Sequence, residues 1–60
     1  MIEFHEQQGT YSGVGTHGRT WCISRTSTGW RLEFRDPGDL AATYAGTHVS
    51  VAAAQNEASR

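Results

Sequence analysis

The chain has 60 residues, a formal net charge of −1 and an apolar content of 37%. A chain of this length forms one domain at most and buries only about 60% of the surface that it exposes when unfolded, which leaves little room for a deep catalytic pocket beside a core. The small net charge excludes a global electrostatic attraction to nucleic acid. We therefore predict a single domain over residues 1–60 that binds a partner and is not an enzyme.

Cysteine content and hydropathy further limit the class of protein to which the chain can belong. Cys22 is the only cysteine of the sequence, which excludes an internal disulfide. The sequence has no apolar run near the roughly 20 residues that span a bilayer, and residues 1–6 lack the basic start of a signal peptide. These features predict a cytoplasmic location and no membrane partner. A homodimer is compatible with the small size, because dimerisation would add buried area.

The N-terminal segment alternates weakly and is rich in glycine. Ile2 and Phe4 lie on one side of residues 1–6, which predicts a short edge strand. Gly13, Gly15 and Gly18 then interrupt the chain, since glycine weakens a strand and often marks a bulge or a mobile loop. We predict that residues 1–18 form a flexible arm or an edge hairpin.

Two central segments alternate with the period of two that is typical of strands. Residues 20–27 place Trp21, Ile23 and Arg25 on one side, and a turn that ends at Gly29 leads into residues 30–35. In this second strand the two faces differ completely: Trp30, Leu32 and Phe34 form the apolar face, and Arg31, Glu33 and Arg35 form the charged face.

The chain then turns at residues 36–39, where Pro37 and Gly38 supply the backbone angles of a turn. A third strand is predicted over residues 42–47, although residues 40–42 also suit a helical turn. Gly46 within this strand allows a close backbone approach or a bulge.

A short helix is predicted to end the domain. Ser50 is a suitable N-cap, and residues 51–58 place Ala54 and Ala58 on one stripe. Val49 and Ala54 have the spacing of a hydrophobic staple. The predicted fold is α+β, with an antiparallel sheet of three strands, or four if the N-terminal segment joins, and a helix packed on one face. Residues 19–60 form its compact core.

Positive charge is concentrated on the central strands. Residues 1–18, 19–35 and 36–60 carry net charges of −2, +3 and −2, and every basic residue is arginine. The arginine side chain offers a planar fork of donors that suits phosphates and base edges. We predict that partner binding uses four arginines and one exposed aromatic residue, namely Arg19, Arg25, Arg31, Arg35 and Tyr44.

Other chemistry finds little support in the sequence. His5, His17, Cys22 and His48 have no close-pair spacing typical of a metal site, so no metal and no cofactor are predicted. Cys22 lies mid-strand without a helix N-terminus to activate it, which argues against a catalytic thiol. The glycine-rich residues 13–18 lack the Lys-Ser/Thr ending of a phosphate-binding loop.

The layout of residues 20–59 resembles the small three-strand-plus-helix DNA-binding domains of the AP2 and integrase N-terminal type. The resemblance rests on the Trp-led strand of residues 30–35, on Gly46-Thr47-His48, and on Ser50 with the helix alanines Ala54 and Ala58. His48 departs from the aromatic residue usual in that family. The resemblance implies a sheet that binds DNA through Arg19, Arg25, Arg31 and Arg35.

Two functions are therefore predicted from different classes. In the first, an arginine-bearing sheet face binds DNA. In the second, the chain is an adaptor or inhibitor that binds a larger protein through exposed aromatic and arginine side chains, which dominate interface hot spots. Tyr11, Tyr44 and Trp21 are the candidate aromatic anchors. Steep salt dependence would distinguish DNA binding from protein binding.

Overall fold

A computed structural model describes residues 2–59, so Met1 and Arg60, the ends of the predicted domain, lie outside the described residues. Five strands form one antiparallel sheet in chain order, and a helix follows them. The elements are β1 (His5–Gln7), β2 (Thr10–Val14), β3 (Thr20–Thr26), β4 (Gly29–Arg35), β5 (Thr43–His48) and α1 (Val51–Ala58), with a 3-10 turn at Thr16–Gly18.

The α+β class, the antiparallel sheet and the C-terminal helix are confirmed, but the prediction of three or four strands is wrong because the sheet has five. The additional pair is the hairpin of β1 and β2. Its two-residue turn has positive φ at both positions, 54° at Gln8 and 83° at Gly9. This conformation matches the twist of a tight hairpin. The Glu6 carboxylate also accepts a hydrogen bond of 2.7 Å from the Gly9 backbone N–H.

Gly13 in β2 allows two segments of the chain to approach each other closely. Gly13 is buried, and a Cβ at this position would lie 2.7 Å from the Glu3 carbonyl oxygen. Ile2 and Phe4 flank this contact and pack against the core. Gly13, which was expected to weaken the strand, therefore allows residues 2–4 to cross β2 closely.

The core lies between one face of the sheet and α1. Ile23 and Leu32 pair directly across β3 and β4, and both are fully buried. Ala54 and Ala58 cover them from the helix, and half-buried Trp21 and Trp30 pack around the cluster. We call this side of the sheet the helix face and the opposite side the open face.

Phe34, predicted to pack with Trp30 and Leu32, shares their face but lies at one end of it. Its ring is 5.2 Å from that of Trp21 across the strand pair. The apolar face of β4 therefore has a buried centre at Leu32 and a half-buried aromatic ring on each side.

The third predicted strand is displaced by one residue, since β5 covers Thr43–His48, and residues 40–42 are neither strand nor helix. The helix cap is confirmed, because the Ser50 hydroxyl oxygen accepts a hydrogen bond of 3.1 Å from the Ala53 N–H. The predicted staple is wrong, because Val49 is 92% exposed. Within the described part of the chain, no helix is long and apolar enough to cross a membrane.

Candidate binding surface

The open face is defined by strand register, because directly opposed residues of an antiparallel pair point to the same side. Arg31 pairs with Ser24 on one side and with Thr47 on the other, and Glu33 pairs with Cys22 and Tyr44. The face thus consists mostly of hydroxyl and charged groups. Its members are His5, Gln7, Thr10, Ser12, Val14, Thr20, Cys22, Ser24, Thr26, Arg31, Glu33, Arg35, Tyr44 and Thr47.

A β-bulge decides which β5 side chains reach this face. Leu32 pairs with Gly46 and Glu33 pairs with Tyr44, so one step along β4 matches two steps along β5, and Ala45 is the extra residue. Ala45 packs against the core, and Gly46 takes a φ of 129°. The bulge that Gly46 suggested is therefore present, and it turns Tyr44 toward the open face.

Four side chains of β4 and β5 form a connected group, which we call the Arg-Tyr cluster: Arg31, Glu33, Tyr44 and Thr47. The Arg31 guanidinium lies 5.1 Å from the centre of the Tyr44 ring, and one of its nitrogens is 3.4 Å from a Glu33 carboxylate oxygen. The Tyr44 and Thr47 hydroxyl groups are 2.7 Å apart. Tyr44 is nevertheless 55% exposed, so the cluster holds its ring in place while leaving it accessible.

Thr47 was not predicted as a site residue. Strict alternation places residues 44 and 47 on opposite faces, because they are an odd number of positions apart. The bulge at Ala45 brings them to the same face. Gly46 was the sequence signal, but a glycine does not reveal on which side of it the extra residue falls.

Arg35 is the second cation of the open face. It is exposed, pairs with Thr20 in register and forms no ion pair among the residues that the structure describes. Arg31 and Arg35 are four positions apart along β4, which corresponds to roughly 13 Å. The face therefore presents two guanidinium groups far enough apart to contact separate phosphates.

Arg19 and Arg25, the other two predicted arginines, lie on the helix side. Arg25 is directly opposite Trp30, and its guanidinium is 5.7 Å from the Trp30 ring centre. Arg19 stacks 4.0 Å above the Phe34 ring. The sheet consequently separates the four arginines into two pairs that cannot contact one flat partner surface together.

Arg19 is also held by a carboxylate. It donates two hydrogen bonds to Asp36, of 2.7 Å and 3.0 Å. This side-on contact holds the pKa of the Asp36 carboxyl below its usual value and raises the pKa of Arg19, in each case chiefly through the hydrogen bonding. Both side chains remain about 40% exposed, at 38% and 41%. Arg19 is therefore occupied by an intramolecular partner.

A cleft of about 550 Å³ opens beside this ion pair. Its lining includes Ile2, Arg19, Trp21, Pro37 and Ala58. Because the guanidinium that faces it is already bonded to Asp36, the cleft offers less free charge than the open face does.

One row of the open face contains a histidine and a cysteine, the residue types of a thiol catalyst, but they are too far apart to act together. His5, Ser12 and Cys22 are consecutive neighbours across β1, β2 and β3. His5 and Cys22 are thus two strand spacings apart, roughly 10 Å, which exceeds the reach of a hydrogen bond. Within residues 2–59, no three His, Cys, Asp or Glu side chains gather as metal ligands would.

Comparisons with known protein families, with curated proteins and with solved structures find no match to this chain.

Proposed function

We propose that this chain is a non-enzymatic DNA-binding module that contacts the phosphate backbone with its open face. The observation that carries the proposal is the excess of arginine over carboxylate on the open face. Arg31 and Arg35 lie on the open face with Glu33, while Glu6, the other carboxylate of the described strands, pairs with Tyr11 on the helix side. The open face is therefore net positive although the whole chain is not.

The width of the sheet limits how DNA can be contacted. Five strands spaced about 4.8 Å apart span roughly 19 Å, whereas the major groove of B-DNA is about 12 Å wide. The whole face cannot enter the groove as a narrower sheet could. Contacts to phosphates, which carry no sequence information directly, are the ones that this face can make over its full width.

The Arg-Tyr cluster supports such contacts by fixing one donor in advance. Arg31 already lies against the Tyr44 ring, so less side-chain freedom is lost when a phosphate binds it. The hydroxyl groups of the same face, including Ser24 and Thr47, are further donors to phosphate oxygens.

Salt-dependent binding to a labelled random-sequence duplex tests the proposal by fluorescence anisotropy. Two phosphate contacts per chain predict a slope of about −1.8 in a plot of log binding constant against log salt, or about a tenfold loss between 50 and 200 mM. Arg35→Ala should reduce the slope by about 0.9 for each bound chain, and Arg31→Ala with Arg35→Ala should abolish binding.

Arg25→Ala is the matched control, because it removes the same charge from an exposed strand position on the opposite face. It should leave the affinity and the slope near wild type. Equal losses from Arg25→Ala and Arg35→Ala would show that net charge, and not the open face, attracts the DNA. Absence of binding at 50 mM salt would overturn the proposal outright.

A protein partner is the second candidate, and the exposure of the Tyr44 ring favours it. A tyrosine held in place by Arg31 and Thr47 suits an interface hot spot, since tyrosine and arginine are enriched there. A larger protein that binds this cluster should lose affinity on Tyr44→Ala and show much weaker salt dependence than DNA. A pull-down with wild type and Tyr44→Ala in parallel distinguishes the two candidates.

A further inference from the structure

The two edges of the sheet are protected very differently. The edge strand β1 has three residues and carries Glu6, whereas the edge strand β5 has six residues and no Asp, Glu, Lys or Arg. An edge strand presents unpaired backbone N–H and C=O groups, which proteins usually protect by short length, by charge or by proline. In the described chain, β5 has none of these three features, and its bulge alone opposes pairing.

Apolar side chains flank β5 at both ends. Leu40 precedes the strand and is 99% exposed, and Val49 follows it and is 92% exposed. They are the two most exposed large apolar side chains among the described residues, and each lies beside one end of the uncovered strand.

The bulge gives β5 a symmetric order of faces. Thr43, Ala45, Gly46 and His48 belong to the helix side, and Tyr44 and Thr47 belong to the open face. The order helix, open, helix, helix, open, helix reads the same in both directions. An antiparallel copy can therefore pair with β5 so that each residue meets one on its own face, provided that the two-fold axis lies between Ala45 and Gly46.

We propose that β5 pairs antiparallel with β5 of a second copy across this axis, which joins the two sheets into one of ten strands. Thr43 then lies opposite His48 of the second copy, and Tyr44 lies opposite Thr47 of the second copy. Val49 meets Ala42 of the second copy, which covers an apolar side chain that is exposed in the single chain. The absence of Asp, Glu, Lys and Arg from β5 means that no like charges approach one another at the axis.

The symmetry favours a second copy over an unrelated strand. An isologous contact uses the same patch twice, so it requires self-complementarity, which the order of faces in β5 provides. Shifting the pairing by one residue places Ala45 opposite Thr47 or Tyr44 opposite Gly46, which are residues of different faces. The register is therefore specified by the bulge.

Sedimentation equilibrium of the full chain over a range of concentrations, without DNA, tests the dimer. Wild type should approach twice the chain mass as concentration rises. Thr43→Lys with Thr47→Lys introduces like charges along β5 at two exposed positions and should give a monomer with unchanged far-UV circular dichroism.

The matched control is His5→Lys with Gln7→Lys, which adds the same charge at exposed positions of the other edge strand. This variant should still dimerise. A wild type that stays monomeric up to millimolar concentration would overturn the proposal, and so would a β5 variant that dimerises as wild type does.

A disulfide variant tests the register. With Cys22→Ser to remove the native thiol, Ala42→Cys and Val49→Cys should meet between copies and give a covalent dimer under oxidation. Ala42→Cys alone places its two thiols roughly 23 Å apart across the axis and should remain monomeric on a non-reducing gel. A monomeric double-cysteine variant would overturn this register. Because these measurements contain no DNA, failure of the dimer and failure of DNA binding are distinguishable.

Discussion

Arg19 and Arg31 show how the face of a sheet determines what one residue type does. Arg19 donates two hydrogen bonds to Asp36 and stacks on Phe34, so its charge is neutralised within the chain. Arg31 makes one longer ion pair, of 3.4 Å, and remains about half exposed. At the level of the residue, Arg31 on the open face is therefore more available to a partner than Arg19 is.

The Arg19–Asp36 pair should make stability depend on pH below the ordinary Asp pKa of 3.8. Because the folded-state pKa of Asp36 is lowered, the pair stabilises the fold above that value, and this contribution is lost as the pH falls through the lowered pKa. Asp36→Asn should reduce the melting temperature at pH 7, and its difference from wild type should shrink as the pH falls below 3.8. Thermal melts followed by circular dichroism measure both.

Glu3→Gln is the control for this experiment, because Glu3 is exposed and forms no ion pair among the described residues. It should leave the difference between pH 7 and pH 2 as large as in wild type. If Asp36→Asn behaves in the same way as Glu3→Gln, the ion pair contributes nothing measurable, as is common for exposed pairs.

At the scale of the element, the β1–β2 hairpin depends on the contact at Gly13. A side chain there would overlap the Glu3 backbone, and the N-terminal segment with Ile2 and Phe4 would have to move off the core. We expect Gly13→Ala to lower the free energy of unfolding by about 1–3 kcal/mol, the usual effect of overpacking. Urea unfolding followed by tryptophan fluorescence measures the loss.

Ser12→Ala serves as the comparison, since Ser12 is an exposed neighbour on the open face. It should change stability by no more than about 0.5 kcal/mol. A Gly13→Ala variant as stable as Ser12→Ala would show that residues 2–4 are not held against β2.

Local patterns predicted β3, β4 and α1 because each has its own signal. Strict alternation marks the strands, and Ser50 provides the cap that starts the helix. In the β1–β2 hairpin, glycine in β2 obscures the alternation of apolar and polar residues. Its turn also requires positive φ at Gln8, a conformation that non-glycine residues rarely adopt. Packing against the core, which the sequence does not display, decides this part of the fold.

The binding surface was predicted only in part for a related reason. Alternation along β4 placed Arg31 and Arg35 on the face opposite Leu32, and the register agrees. The same alternation places Arg25 with Trp21 and Ile23 on the helix side, and the register agrees there too. Arg19 lies outside β3, and its contacts with Asp36 and Phe34, which are distant in sequence, do not follow from a period of two.

At the scale of the whole molecule, stability rests on very few side chains. The buried hydrophobic side chains of the described residues are those of two alanines, Ile23 and Leu32. A domain of this length is expected to have a free energy of unfolding of about 3–9 kcal/mol. Removing one of the two large core side chains should remove a large part of this free energy.

Leu32→Ala should therefore lower the free energy of unfolding by about 2–5 kcal/mol and reduce the melting temperature. Val14→Ala is the matched control, because Val14 is an apolar strand residue that is 64% exposed. Far-UV circular dichroism and urea titration compare the two variants. A cooperative Leu32→Ala transition near that of wild type would contradict the assignment of Leu32 to the centre of the core.

The proposed dimer should make the stability of the fold depend on protein concentration. A second copy that binds only the folded chain stabilises it by mass action, so the melting temperature of wild type should rise with protein concentration. The monomeric β5 variant should melt at a temperature independent of concentration.

The extra residue in β5 also has a consequence for how this surface tolerates changes in strand length. Removal of Ala45 would leave Tyr44 opposite Glu33 and Gly46 opposite Leu32 in regular alternation, so Tyr44 and Thr47 would both stay on the open face. The bulge therefore absorbs one residue without reversing the faces of the strand. A codon can be gained or lost at this position while the Arg-Tyr cluster keeps its side of the sheet.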